Sequence, residues 1–276
     1  MTVSEPRPPQ TLRIATPDAE LHVEVRGHGP TLVLFGCPMG ADAFASLAEV
    51  LGRDFTVITA DPRGIKRSTV VDRNRDVTPE VLADDLSVIL NYLGAEPAAV
   101  FGSSGGAVAA LALLQRYPER VRHVIAHEPP LEELLDDHEQ LRSNTEDVVQ
   151  TYLGGDVVGA WRKFFVSAKI EMDDHDIAGW INGRTEPQEA ADEQFFFAHT
   201  LRPSTYWIPD LATLASRTSL VTVGVGRESA GQVCDRATSV LAAALGITRT
   251  VFAGDHTGFV DDPSPFAEQI REILRK

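Results

Sequence analysis

The sequence Gly-Ser-Ser-Gly-Gly at residues 102–106 lies between two apolar runs, AAVF at 98–101 and AVAALALL at 107–114. The first run predicts a strand and the second a helix, so the glycine-rich segment forms a sharp turn between them. Small residues two positions before and after Ser104 let the strand and the helix approach closely. The turn would expose the Ser104 hydroxyl at the helix N-terminus, where backbone N–H groups face a developing negative charge. We therefore predict that Ser104 is a nucleophile.

Two other interpretations of this segment are a glycine-rich turn without chemistry and a phosphate-binding loop. The segment lacks the spacing and the lysine of a P-loop, and it lacks the Gly-x-Gly-x-x-Gly spacing of a dinucleotide fingerprint. The strand before it and the helix after it are the context that a nucleophile at such a turn requires.

Charge and composition argue against several classes of partner. The chain has 276 residues and a net charge of −15, which disfavours nucleic acid or an anionic membrane surface. Its two cysteines, Cys37 and Cys234, form no disulfide framework, which suggests the cytoplasm. The polar, proline-rich start at residues 1–10 contains no apolar signal core, and no stretch reaches the length of a transmembrane helix.

Apolar runs and helical periods alternate along most of the chain. This alternation predicts an α/β fold with a mostly parallel twisted sheet and helices on both faces. The first two strands, separated by Pro17 and Asp18, should instead form an antiparallel hairpin. Expected strands lie at 12–16, 21–25, 32–35, 55–60, 98–101, 121–126, 219–225 and 248–252, and expected helices at 41–51, 78–93, 107–114, 231–245 and 263–276.

The alternation stops between residues 131 and 216, where the sequence is charged, helical in period and rich in aromatic residues. We predict a helical cap at 131–216, inserted into a core domain formed by residues 1–130 and 217–276. The inner face of such a cap would contact the substrate, so we expect a pocket for a small apolar or aromatic substrate. The sequence contains no arginine cluster that would suggest a phosphate or dicarboxylate ligand. Its pattern is compatible with a monomer or with a homodimer.

A histidine near the C-terminus completes the predicted chemistry. His256 lies just past the last predicted strand, at the sheet edge where Ser104 is expected to emerge. A serine hydroxyl is a weak nucleophile unless a base takes its proton, and an imidazole supplies one. Attack by a serine on a carbonyl group produces a tetrahedral intermediate with a negatively charged oxygen, the oxyanion, which needs N–H donors. We expect the backbone N–H groups of Gly105 and Cys37 to be these donors. The Cys37 side chain is then a small buried hydrophobe.

With these residues the chain resembles the α/β-hydrolase fold family of capped serine hydrolases along nearly its whole length. The turn at 102–106, the Gly-Asp-His at 254–256 and the segment DPRGIKRS at 61–68 carry the resemblance. It implies a Ser–acid–His triad and ester-type hydrolysis. Two departures are Phe35-Gly36, where the family has His-Gly before the oxyanion loop, and Lys66, where a second glycine is common.

The acid is the third departure from the family. The family usually places an aspartate after the strand that ends near Val225, and Ser229 stands at that position here. The acid must be a carboxylate that reaches the far ring nitrogen of the histidine. Glu228, beside the expected position, is the first candidate and Glu128 is the second, and a dyad without an acid is a further possibility. We expect Asp255 to orient the histidine loop.

Together these features favour a cytoplasmic serine hydrolase that cleaves an ester, thioester, lactone or related carbonyl substrate through an acyl-enzyme, without a metal or an organic cofactor. One alternative keeps the fold but changes the chemistry to that of a lyase, a cyclase, a C–C hydrolase or a cofactor-free oxygenase. Another is a ligand-binding protein on the same scaffold, since fold alone does not decide function.

Overall fold

The computed structural model describes residues 8–95, 97–184 and 186–275. Most of the polar N-terminal stretch, residues 1–7, and Lys276 at the end of the predicted closing helix lie outside them. Within the described residues, nine strands form one sheet in the order β1-β2-β4-β3-β6-β7-β8-β9, with β5 paired to β2. The strands are β1 (Gln10–Ala15), β2 (Ala19–Gly27), β3 (Thr31–Cys37), β4 (Thr56–Ala60), β5 (Thr69–Val70), β6 (Ala98–Ser104), β7 (Val121–His127), β8 (Val221–Gly226) and β9 (Thr250–Phe252).

The α/β fold predicted from the alternation is confirmed. Strands β1 and β2 form the expected antiparallel hairpin, and β2 pairs antiparallel with β4 and with the short β5. All pairs from β4 through β3, β6, β7 and β8 to β9 are parallel. The central strands β3 and β6 are buried almost throughout, as their continuous apolar runs require.

Helices cover both faces of this sheet. One face packs on α2 (Pro79–Leu93), α3 (Gly105–Arg116) and α10 (Val233–Leu245), and the other on α1 (Ala45–Leu51) and α12 (Pro263–Leu274), each through its own apolar cluster. Thr78 caps α2 with its side chain, and Gly94 ends this helix in the left-handed conformation. The short helix α11 (Gly258–Asp261) lies between β9 and α12.

Between β7 and β8 the described chain forms helices and connecting loops only. We call residues 131–216 the helical insertion. It contains α4 (His138–Leu153), α5 (Val157–Ala168), α6 (Asp174–Asn182), α7 (Pro187–Phe195), a π-helical turn (Phe196–Thr200), α8 (Leu201–Thr205) and α9 (Leu211–Ala215). Phe196 and Phe197 pack inside the insertion with Val148, Val149 and Leu201, whereas Phe195 packs into the main core.

None of the described helices combines the length and the apolar character that crossing a membrane requires.

Candidate active site

Ser104 is the last residue of β6 and precedes the first turn of α3. Its backbone has φ 57° and ψ −129°, a strained conformation for a residue with a side chain. An added Cβ at Gly102 would overlap the carbonyl oxygen of Gly106, and one at Gly106 would overlap that of Phe35. Because both glycines are required for this close approach, the strand–turn–helix geometry expected around Ser104 is present.

The backbone of β3 lies on one side of Ser104. Cys37 is the cross-strand partner of Ser104, and a Cβ built on Gly105 would lie 2.7 Å from the Cys37 carbonyl oxygen. The two residues expected to supply oxyanion donors are therefore neighbours at the end of β6. Burial raises the pKa of the Cys37 thiol to about 12, so this side chain stays neutral and is a poor nucleophile.

Glu128 lies on the other side of Ser104, because Ser103 pairs with His127 across β6 and β7 and Glu128 follows directly. Its backbone also has a positive φ of 51°, and the residue is fully buried. One carboxylate oxygen, Oε1, accepts a hydrogen bond from Gly226 N at 2.7 Å. The other, Oε2, accepts one from His256 Nδ1 at 2.5 Å.

The electrostatics of Glu128 favour its ionised form. Burial raises the pKa of this carboxyl, but the hydrogen bond from His256 and the neighbouring His127 and His256 rings outweigh burial and lower the pKa to about 2. A buried carboxylate that is charged and bonded to one ring nitrogen fixes the imidazole tautomer. The other nitrogen, Nε2, is then the one that can accept a proton.

The structure does not bring the first expected acid, Glu228, to the histidine. Glu228 is exposed, and its backbone N–H donates to the Gly254 carbonyl at 3.0 Å. Ser229, at the position where the family usually has its aspartate, is fully buried, and its hydroxyl has no hydrogen-bond partner among the described residues. The carboxylate at the histidine therefore comes from the end of β7, next to the nucleophile strand, as in the second expectation.

His256 lies in the loop between β9 and α11, and its side chain is 24% exposed. Asp255 Oδ1 accepts from Thr257 N at 2.8 Å, which fits the expectation that this carboxylate orients the loop. Among the described residues the Ser104 hydroxyl has no hydrogen-bond partner, so transfer of its proton to His256 would require a hydrogen bond that forms when substrate binds. Such bonds are commonly long before substrate binds and shorten in the complex.

Sequence reasoning missed Cys234, in the first turn of α10. Its thiol, one oxygen of Glu128 and one ring nitrogen of His256 lie within 4.8 Å of one another. Burial and the charges of Glu128 and Glu132 raise the pKa of the thiol well above its ordinary value. No spacing in the sequence connects these three residues, since each comes from a different strand end or helix.

The segment DPRGIKRS has a structural role. Asp61 Oδ1 accepts from Ala41 N at 2.8 Å, and Arg63 forms a buried bidentate pair with Asp85 at 2.6 and 2.7 Å. Lys66, where the family commonly has glycine, has a φ of 52°, a conformation that glycine adopts more easily. The Lys66 N–H donates to Asp192 in the helical insertion at 3.0 Å, so this segment connects core and insertion.

A cavity of about 250 Å³ lies between the core and the helical insertion. It is bounded on the core side by Pro38, which follows Cys37, and on the insertion side by aromatic rings. An ion pair between Arg184 and Glu193 lies at the same wall. The lining residues are Pro38, Ile65, Lys66, Trp161, Trp180, Arg184, Glu189, Asp192, Glu193 and Phe196.

Comparison with known proteins agrees with this fold. An uncharacterized hydrolase of Bacillus subtilis (strain 168), YraK, is 28% identical over 270 residues, covering 95% of each chain. A zearalenone hydrolase of Bionectria ochroleuca is 27% identical over 278 residues, covering 95% of this chain and 97% of that protein. A thermophilic esterase from Thermogutta terrifontis superposes with a TM-score of 0.67 at 22% identity, over 96% of this chain and 98% of that one, which shows a shared fold alone. A family model described as alpha/beta hydrolase fold matches residues 30–215, and the chain therefore belongs to the α/β-hydrolase fold family, among relatives that are hydrolases.

Proposed function

We propose that this protein is a serine hydrolase that cleaves a carboxylic ester, thioester or lactone through an acyl-enzyme. The observation that carries the proposal is the hydrogen bond from His256 Nδ1 to the buried Glu128, one residue beyond the cross-strand partner of Ser103. This bond supports an imidazole oriented for proton transfer near the end of β6, where Ser104 has the strained backbone of a nucleophile turn.

In the proposed mechanism, Ser104 Oγ forms a bond to the substrate carbonyl carbon while its proton moves to His256 Nε2. Glu128 stabilises the resulting imidazolium, and the backbone N–H groups of Gly105 and Cys37 bind the oxyanion. The bond between the carbonyl carbon and the oxygen or sulfur of the leaving group then breaks, and His256 donates its proton to the leaving group. Water, deprotonated by the same histidine, attacks the acyl-enzyme and releases Ser104. This route needs no metal and no organic cofactor.

The cavity supports a substrate with an apolar or aromatic group. Trp161, Trp180 and Phe196 of the helical insertion line it together with Pro38 and Ile65 of the core, and aromatic linings of this kind bind flat apolar groups. We propose that the helical insertion acts as a cap over the site. One relative is named a zearalenone hydrolase, so zearalenone is a compound to test on this chain.

We also propose a reducing compartment such as the cytoplasm, which the free state of both Cys37 and Cys234 supports. The net charge of −15 supports a small-molecule substrate rather than a nucleic acid or an anionic membrane as partner.

The test is hydrolysis of p-nitrophenyl esters of increasing chain length, and of zearalenone, by the wild type, Ser104→Ala and His256→Ala. We expect turnover by the wild type, its loss in both variants, and covalent labelling of Ser104 by a fluorophosphonate. Because only an activated serine reacts with this probe, a wild-type protein that is neither labelled nor active on any ester would refute the nucleophile assignment. Retention of turnover by Ser104→Ala would do the same.

A further inference from the structure

Two residues of the proposed triad have strained backbones, and each is preceded by a buried polar residue. Ser104 and Glu128 have φ values of 57° and 51°. The residues before them, Ser103 and His127, are cross-strand partners and are both fully buried. Their side chains form a hydrogen bond of 3.1 Å between Ser103 Oγ and His127 Nδ1. This bond therefore joins β6 and β7 one residue before each strained turn.

The surroundings of His127 are almost entirely aromatic. Its ring centroid lies 5.4 Å from those of Phe252 and Phe266 and 5.7 Å from that of Phe101. The second ring nitrogen, Nε2, is buried and has no hydrogen-bond partner among the described residues. Burial lowers the pKa of His127 to about 4, so the ring is neutral at neutral pH. Phenylalanine would fill this space without a buried, unpaired polar atom.

We propose that the Ser103–His127 hydrogen bond positions the nucleophile and the acid relative to each other. The inference rests on the proposed function, since it concerns the same triad. Residues with strained backbones keep their conformation only where their surroundings hold them in place. The bond between the two preceding residues fixes the lateral distance between the β6 and β7 ends, from which Ser104 and Glu128 extend. Misplacement of reacting groups by about 1 Å can lower a rate by about 10²-fold.

The same strand β7 provides a matched control. His123 Nε2 and Thr222 Oγ1 form a hydrogen bond of 2.8 Å between β7 and β8. This pair has the same chemistry, but His123 lies four residues earlier than His127, about 13 Å along the strand at about 3.3 Å per residue. Loss of this bond, in Thr222→Val, removes a cross-strand contact without touching the two strained turns.

The experiment measures kcat, KM and the free energy of unfolding for Ser103→Ala, His127→Phe, His127→Asn and Thr222→Val. We expect kcat to fall by about 10- to 100-fold in Ser103→Ala and His127→Phe, while KM changes by less than about threefold on the same reasoning, because the cavity is intact. We expect the double variant Ser103→Ala/His127→Phe to be at least as stable as the wild type, because both partners of the bond and the unpaired Nε2 are removed together. The double variant should be no slower than either single variant, since the two residues act as one unit. His127→Asn should recover part of kcat, because its amide can replace Nδ1.

If the Ser103–His127 pair had only a structural role, the free energy of unfolding would fall in the single variants while kcat stayed at the wild-type value. Wild-type kcat in Ser103→Ala and His127→Phe, or an equal loss in Thr222→Val, would overturn the inference. A readout independent of turnover is the downfield NMR resonance of the proton between His256 and Glu128, which we expect to shift or broaden in Ser103→Ala but not in Thr222→Val. An unchanged resonance in Ser103→Ala would also count against the pair. Full activity of Ser104→Ala would instead remove the proposed function, so the two failures are distinguishable.

Discussion

Replacing Glu128 by glutamine removes the negative charge that faces His256 while keeping nearly the same shape. In the wild type, Oε1 accepts from Gly226 N and Oε2 accepts from His256 Nδ1. A glutamine amide can still accept from Gly226 with its oxygen, but its NH₂ group then faces the imidazole. This arrangement favours the tautomer with the proton on Nε2, the nitrogen that must take the Ser104 proton.

The structure gives a magnitude for this change. The carboxylate of Glu128 is fully buried, is held in its charged form by a lowered pKa, and accepts from His256 Nδ1 at 2.5 Å. Removing one partner of a buried, hydrogen-bonded charge pair costs about 3–5 kcal/mol, and a loss of this size in the stabilisation of the imidazolium slows the step by about 10²- to 10⁴-fold, since each 1.36 kcal/mol is tenfold. The wrong tautomer adds to this, so we expect kcat to fall by about 10³- to 10⁴-fold in Glu128→Gln.

The assay is steady-state hydrolysis of the best p-nitrophenyl ester, with Glu228→Gln as the control. Glu228 is the alternative acid that the sequence offers, and it is exposed in the short helical turn that also contains Ser229. Its replacement therefore tests that alternative directly. We expect Glu228→Gln to retain wild-type kcat within about twofold, the usual range for a surface substitution. A Glu128→Gln variant that folds and keeps more than about a tenth of wild-type kcat would refute the reasoning. A larger loss of kcat in Glu228→Gln than in Glu128→Gln would also refute it.

Three further predictions concern stability, each measured by urea unfolding. Burial raises the pKa of Glu132 to about 7, because it penalises the ionised carboxylate. The free energy of unfolding is therefore highest below pH 4.5, where this carboxyl is neutral, and falls as the pH rises through 7. Glu132→Gln should therefore raise the free energy of unfolding by about 3 kcal/mol at pH 8 and by little at pH 4.5, and equal gains at both values would contradict the assignment. Arg63→Lys should lose about 2–4 kcal/mol, because lysine cannot keep both bonds to Asp85, and a loss below about 0.5 kcal/mol would argue against a structural role. Gly106→Ala should lose at least about 3 kcal/mol or fail to fold, because its methyl group would overlap the Phe35 carbonyl, and wild-type stability would disprove that close approach.

The elements that could be predicted from the sequence are those with strong local signals. The apolar run of β3, the capped helix α2 and the turn at Ser104 each specify their own structure within a few residues. The two-residue strand β5 was missed because so short a segment has no period to read. Individual helices of the insertion could not be placed, because its aromatic residues divide between two cores. Phe195 packs into the main core, whereas Phe196 and Phe197 pack inside the insertion.

The proposed acid, Glu128, could not be chosen over Glu228 from the sequence, because the choice depends on strand order and one backbone dihedral angle. Glu128 and Glu228 each follow a strand that ends beside the proposed site. The positive φ of Glu128 places its side chain in the buried space between β7 and β8, where Gly226 N and His256 meet it. Glu228 continues into an exposed helical turn instead. The one sequence signal that pointed to Glu128 was its position directly after the strand next to the nucleophile strand.

The proposed site divides into a rigid part and an adaptable part. Cys37, Ser104 and Glu128 lie at the ends of three adjacent parallel strands, so the sheet hydrogen bonds, together with the proposed effect of the Ser103–His127 bond, fix their spacing. Most of the cavity wall, in contrast, belongs to the helical insertion, where Trp161 and Trp180 pack edge to face against each other. Substitutions at the two tryptophans should therefore change KM and substrate preference, because uniform binding is lost while the transition-state contacts at the strand ends remain. A scaffold arranged in this way can change its substrate without rebuilding the reacting groups.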